Sequence, residues 1–325
     1  MRPSYSFVRL LVMASLFAIV FPVTAQTYPT KAIRFIVPFP PGGGADIFAR
    51  LVGRKMGESM GQQFVVDNLA GAAGIIGCEL VAHAPPDGYT LLMATTGTHT
   101  TNPAVFAKLT YDPIKDFAPV AIVVDAPFVL LAHPSVPARN IRELIAVAKA
   151  HPGELTFGHS GIGSSSHLGI ELFNSMAGIK VIAVPYKGLP LATADTIAGN
   201  ITMNWDSISA SAQFVKAKRI RALGIGSAKR SPLMPELATI SESGVPGFEL
   251  GSWYAIFAPA GTPQEIVRVL NSEIVKALKA PGMKEQFAAL GADPIGSTPD
   301  ALTTVVKRDL VKWSKVAREA NVKAE

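Results

Sequence analysis

Short apolar runs alternate with longer stretches of helical periodicity along most of this chain, and that alternation limits the fold more than any other feature. Residues 32–37 read as a buried strand and 47–60 as a helix closed by Gly61. Residues 64–66 read as a strand, 74–82 as a helix and 90–94 as another strand. Such β-α-β alternation implies a parallel sheet covered by helices, with ligands bound beyond the carboxyl ends of its strands.

Two glycine-rich turns fall at such strand ends. The first is Pro38-Phe39-Pro40-Pro41-Gly42-Gly43-Gly44-Ala45-Asp46, and the second runs from Gly158 through His159, Ser160, Gly161, Ile162, Gly163, Ser164, Ser165 and Ser166 to His167. Each leads into a helical stretch. The first N–H groups of a helix lack intrahelical partners and carry partial positive charge, and glycines before them let a ligand approach the backbone. Either turn alone also fits an ordinary strand-to-helix connection; two in separate halves of one chain suggest a clamp for a small carboxylate.

About 300 residues follow the first 25, enough for two domains. A second unit begins near Asp125, with strands expected at 156–158, 181–184 and 222–225 and helices at 141–150, 167–177 and 191–198. A strand at 252–258 then leads to helices at 263–278, 283–290 and 299–321. The apolar runs 120–124 with 128–132, and 251–258, are candidates for two strands passing between the units, which would form a hinge. The expected division is 26–124 with 252–325 for one domain and 125–251 for the other.

Arg2 and Arg9, an apolar run from Leu10 to Val23 and the small residues ending at Ala25 read as a signal peptide cleaved near Ala25. The run is shorter than the roughly 20 residues of a membrane span. Removal of this leader, which carries two arginines and no acid, lowers the formal charge from +6 to +4. That surplus is scattered, apart from residues 216–221, which read as a solvated helix end; nucleic-acid binding is disfavoured and anionic small molecules are favoured. Cys78 is the single cysteine, in an apolar segment, and reads as a packed residue.

The residues give little support to catalysis. Gly158-His159-Ser160-Gly161-Ile162 has Ile162 where a nucleophile elbow requires glycine. A periplasmic serine hydrolase using Ser160 or Ser164 remains an alternative, although a hydroxyl without an oriented base is a poor nucleophile. The six histidines show no metal-ligand spacing, and neither a dinucleotide fingerprint nor a phosphate loop occurs, so no cofactor is expected. Ligand-holding groups fit better. Ser164 or Ser166 can cap the following helix, leaving the other hydroxyl for a carboxylate. The stretch from Thr95 through Thr96 and Thr98 to His99 should lie on the same rim as the first turn. Asp46 is placed to cap the first helix, and Asp206 to accept from an ammonium or hydroxyl on the ligand.

These segments together resemble the extracytoplasmic solute-binding proteins of the tripartite tricarboxylate transporter family, the Bordetella uptake gene family. The resemblance covers the chain after the leader and is carried by Tyr28-Pro29-Thr30-Lys31, the turn from Val37 to Asp46, Asn68 to Gly77, Ala84-Pro85-Pro86-Asp87-Gly88-Tyr89-Thr90-Leu91, Ser160 to His167, Val184-Pro185-Tyr186-Lys187-Gly188 and Gly244-Val245-Pro246-Gly247-Phe248. It implies an α/β periplasmic binding protein fold, a Venus-flytrap of two α/β domains joined by two crossing strands, which closes on one small acid. It also implies that backbone amides and hydroxyls of the two turns hold the carboxylate. Carried over by position, the binding residues are Phe39, Gly42, Gly43, Gly44 and Asp46, then Ser160, Gly161, Gly163, Ser165 and Ser166, with Thr96, Thr98 and Asp206 as further contributors. Leu189 followed by Pro190 departs from the family pattern, either giving the cleft a bulkier apolar wall or packing away from it. The implied partners are the membrane permease subunits of a tripartite tricarboxylate transporter. A membrane histidine kinase reading the closed form is the alternative, and a monomer is the default expectation.

Overall fold

The computed structural model describes residues 28–324. The expected leader and its cleavage near Ala25 lie outside them. Strand β1 (Ile33–Val37) is buried along most of its length and pairs in parallel with β2 (Phe64–Asn68) and β3 (Thr90–Thr95). Helix α1 (Gly44–Met60) covers this sheet because Ala45, Phe48, Ala49, Val52 and Met56 recur at helical spacing and turn one face inward. It stops at Gly61, which takes the left-handed conformation and donates its N–H to the Gly57 carbonyl. A 3-10 turn at Ala72–Gly74 leads into α2 (Ile75–Ala82), and a π-helical turn at Gly97–Thr101 follows β3 before the short α3 (Asn102–Val105).

The apolar runs 120–124 and 128–132 lie on a single 16-residue strand, β4 (Phe117–Ala132). Up to Pro127 it pairs antiparallel with β9 (Gly251–Pro259), which also pairs with β3. From Phe128 onward it pairs instead with β7 (Met203–Ser207) and β8 (Arg221–Ile225). Proline at this changeover has no N–H to give to either ladder. The second lobe is completed by α4 (Ile141–Ala150), β5 (Thr156–His159), α5 (Ser165–Ala177), β6 (Ile182–Pro185), α6 (Leu189–Ala198) and α7 (Ile208–Lys216), with β6, β5 and β7 parallel. Helices α8 (Gln264–Leu278) and α9 (Met283–Ala289), the short β10 (Asp293–Pro294) and α10 (Pro299–Glu319) follow β9.

Where the two crossing strands meet, three backbones tie together. Phe128 donates to Leu250, Gly226 to Phe128 and Leu250 to Gly226, at 3.2, 2.7 and 2.7 Å. The approach is so close that a Cβ on Gly226 would lie 2.2 Å from the Leu250 carbonyl oxygen. Two α/β lobes joined by two crossing strands are thus present, as the sequence implies. One element extends beyond that description. Along α10, Leu302 and Val306 pack in a first-lobe cluster with Trp253 and Phe257, whereas Trp313, Val316 and Ala317 pack with Phe173, Trp205 and Phe248 of the second lobe. Among the described residues no helix is long and apolar enough to cross a membrane.

Candidate binding cleft

Helix α1 begins three residues earlier than the apolar pattern suggests, so Gly44 is its first residue and Gly43 its cap position. Among the described residues no side chain caps it, so the N–H groups of its first turn are left for other acceptors. Asp46 turns back instead. It accepts from Gly42 N–H at 3.0 Å and from Arg50 Nε at 2.9 Å; Arg50 also reaches Asn68, which donates to the Phe39 carbonyl. Burial works to raise the Asp46 pKa, but the hydrogen bonds from Arg50, Gly42 and Asn68 outweigh it and hold the carboxyl below its ordinary value. The carboxylate is therefore a brace for the turn, already paired with a guanidinium. Gly74 sits beneath Phe39, where a Cβ would come 3.3 Å from the ring.

The second turn is organised by one hydroxyl. Ser166 Oγ, 1% exposed, accepts from Ser160 N–H at 3.0 Å and lies 2.9 Å from Ser160 Oγ and 3.0 Å from Ser164 Oγ. Ser164 is the cap: its Oγ accepts from His167 N–H. Ser165, the first residue of α5, is half-buried, and its hydroxyl makes no hydrogen bond among the described residues. The imidazoles of His159 and His167 stack at 4.2 Å, and both bond to the loop backbone. His159 Nδ1 lies 2.8 Å from the Gly161 carbonyl, and His167 Nδ1 accepts from Gly163 N–H at 3.1 Å. Burial lowers both pKa values, that of His159 to about 4 with a further push from His167, so both rings are neutral near pH 7. The serines bond to one another and the imidazole Nδ1 atoms to backbone, which is a scaffold for the turn rather than a nucleophile and its base.

A cavity of about 470 Å³ separates the two turns. Phe39, Gly43, Gly44, Ser160, Ser165 and Ser166 line it. Gly42, Asp46, Gly161 and Gly163 stand behind that lining and shape the turns; Gly161 and Gly163 have φ of 124° and 76°, a region that favours glycine. Three expected contributors stand elsewhere. Thr96 accepts from Trp253 N–H and lines a separate cavity behind the hinge. Thr98 is fully buried, bonded to Thr95 and, through its carbonyl, to the Tyr111 hydroxyl. Asp206 is buried between β7 and α6, where Thr193 Oγ1 and Ser207 N–H donate to it at 2.5 and 2.7 Å; burial pushes its pKa up, and those two bonds pull against it. Being near a strand end did not determine which way these side chains face.

Several lining residues carried no local signal. Phe128 and Ser252 come from the crossing strands, Thr101 and Asn102 from the segment after β3, and Tyr254 from the middle of β9. Tyr254 Oη meets α1 so closely that a Cβ on Gly44 would lie 2.7 Å from it. Burial pushes the phenol up to about 12, which keeps it a neutral donor. Lys187, Gly188, Leu189 and Pro190 form the remaining wall, so Leu189 does face the cleft. The proline at 190, directly after Lys187-Gly188-Leu189, was the available signal.

The family model described as "Tripartite tricarboxylate transporter family receptor" matches residues 48–322. A UPF0065 protein from a Pseudomonas species is 41% identical over 92% of this chain and 89% of its own length. BugT of Bordetella pertussis is 37% identical over 93% of both chains. Among solved structures, R. palustris Rpa4515 with adipate superimposes with a TM-score of 0.83 at 38% identity, over 91% of this chain and 99% of that one. MatC from Rhodopseudomonas palustris with bound malate gives 0.78 at 33% identity, over 89% and 99%.

Proposed function

Because this chain belongs to the tripartite tricarboxylate transporter receptor family, whose members are periplasmic solute-binding proteins, we propose that it captures a small carboxylate in the cleft between its lobes and delivers it to the membrane subunits of such a transporter. The observation that carries this reading is the start of α1, uncapped among the described residues, facing across one cavity the start of α5, where the Ser165 hydroxyl has no partner among them. A carboxylate oxygen is the acceptor such donors require, and the partial positive charge of two helix ends favours an anion. The structural relatives bound to adipate and malate support the same class. The leader expected at residues 1–25 fits export with cleavage near Ala25.

Ligand and closure are coupled through the two turns. A ligand that satisfies donors on both lobes makes its full set of contacts only when they are close, so it shifts the population toward the closed form. The lobes already touch beside the cleft, where a Cβ on Gly163 would lie 2.6 Å from Val105.

The test is a thermal-shift series on the chain from Gln26 onward, unfolded and refolded to strip bound metabolites, against mono-, di- and tricarboxylates. The expected result is a saturable rise in Tm with one group of acids, since a ligand of the native state stabilises it by mass action. A well-folded protein whose Tm moves with none of them would overturn the reading.

A further inference from the structure

Resting on the carboxylate reading of this cleft, we propose that it selects acids whose body is apolar and carries no ammonium group, and that Leu189 supplies the apolar contact for that body. The first ground is the charge of the lining. Among the described residues that line the cavity, Lys187 is the one charged side chain and none is acidic. The two nearby acids are committed elsewhere, Asp46 to Arg50 and Gly42 and Asp206 to Thr193 and Ser207.

An α-ammonium is fixed one carbon from its carboxylate, so it must enter the same region of helix N-termini and N–H donors. There it meets partial positive charges and no carboxylate, and it loses water without gaining a counterion. An acid lacking the amine avoids this cost. A zwitterion is thus rejected by what the cleft lacks for it as much as by what the cleft offers the anion.

The second ground is the wall. Phe39, Pro41, Phe128, Pro190 and the ring of Tyr254 present apolar surface to the cavity together with Leu189. Two of the polar side chains between them are already engaged, Thr101 with the Gly97 carbonyl and Asn102 with that of Ala73. Leu189 opens α6, half-buried, held between left-handed Gly188 and Pro190. Its isobutyl group therefore meets the body of the ligand on the lobe opposite Phe39.

Calorimetric titration of the refolded chain with matched pairs tests this: hexanoate against norleucine, 3-phenylpropanoate against phenylalanine, and adipate against 2-aminoadipate. The expected result is at least tenfold tighter binding of the amine-free member in every pair that binds. Equal or tighter binding of the amino acids overturns the inference while leaving the carboxylate reading intact. Absence of binding by every acid, with the fold intact by circular dichroism, overturns both. The Leu189→Asp chain isolates the residue, because an acid in the first turn of a helix is well tolerated. Its Tm should match the parent, and its preference for the amine-free partner should fall at least tenfold. An unchanged preference removes Leu189 from the selection, and Leu189→Ala, which removes bulk without charge, should keep the discrimination against ammonium but weaken binding of the apolar body.

Discussion

Ser165 and Ser166 are adjacent in sequence and differ in what their hydroxyls meet. The Ser165 hydroxyl has no partner among the described residues and lines the cleft, so Ser165→Ala should weaken carboxylate binding by about 1 kcal/mol and leave Tm unchanged. Ser166→Ala deletes the acceptor for Ser160 N–H and the neighbour of two further hydroxyls. It should lower stability by about 1–3 kcal/mol as well as binding, read by urea melts beside titration. Equal effects on Tm from the two substitutions would contradict this division. The buried imidazoles add a pH dependence. His159 titrates near 6.5 unfolded and about 4 folded, so the unfolded state binds the extra proton between those values. Its contribution is fully present above pH 6.5 and is lost as pH falls toward 4. His99, lowered to about 3 by burial, adds a slope of the same sign. Tm should therefore fall between pH 7 and 4, and His159→Gln should flatten part of that fall; an unaltered slope would remove His159 from it. At this scale the glycine turns were legible because their chemistry is local. Tyr254, Phe128 and the burial of Thr98 and Asp206 away from the cleft were not, because they depend on how distant elements meet around the cavity.

Element boundaries follow the same divide. Helix α4 at Ile141–Ala150 matches its expected span, capped by Asn140, which accepts from Glu143 N–H. Helices α1, α5 and α6 each begin two or three residues earlier than apolar periodicity indicates, since glycine and Asp46 stand in the first turn of α1, serines in that of α5 and Pro190 in that of α6. Strand β7 escaped the pattern because Asn204 and Asp206 interrupt its apolar residues, and both are buried in a polar network with Thr193. The partner change in β4 is a tertiary event, since only the fold brings Leu250 and Gly226 to Phe128. Gly226→Ala should accordingly be severe. Its φ is ordinary, so the cost is steric: the added Cβ must displace a backbone carbonyl in the tie between the lobes. Overpacking of this kind costs roughly 1–3 kcal/mol or more, and here it should also weaken ligand binding, because the tie joins the two lobes that carry the turns. Parent-like Tm and affinity in this variant would show that the tie yields freely.

For the whole molecule, the opposed requirements are a cleft that closes and a core that stays cooperative. We propose residues 26–124 with 252–325, and 125–251, as the moving units. Strand β4 alone contributes to all four apolar clusters, Val120 to one, Ile122 to another, Val129 to a third and Leu130 to the largest. Helix α10 braces the back of the hinge: Asp309 accepts from Trp253 Nε1 at 3.0 Å, Lys312 Nζ donates to the Glu249 carbonyl at 2.8 Å, and Trp313 packs into the second lobe. A lobe that unfolded alone would strip β4 and α10 of half their partners, so neither lobe is energetically independent. Calorimetry of the chain from Gln26 onward should show one transition with equal calorimetric and van't Hoff enthalpies. Trp313→Ala, which empties a core site worth about 3–5 kcal/mol, should lower the second lobe selectively and separate the transition into two. Two transitions already present in the parent would mean that β4 and α10 connect the lobes without coupling them, and the hinge would then be the weakest part of the fold rather than its best-braced one.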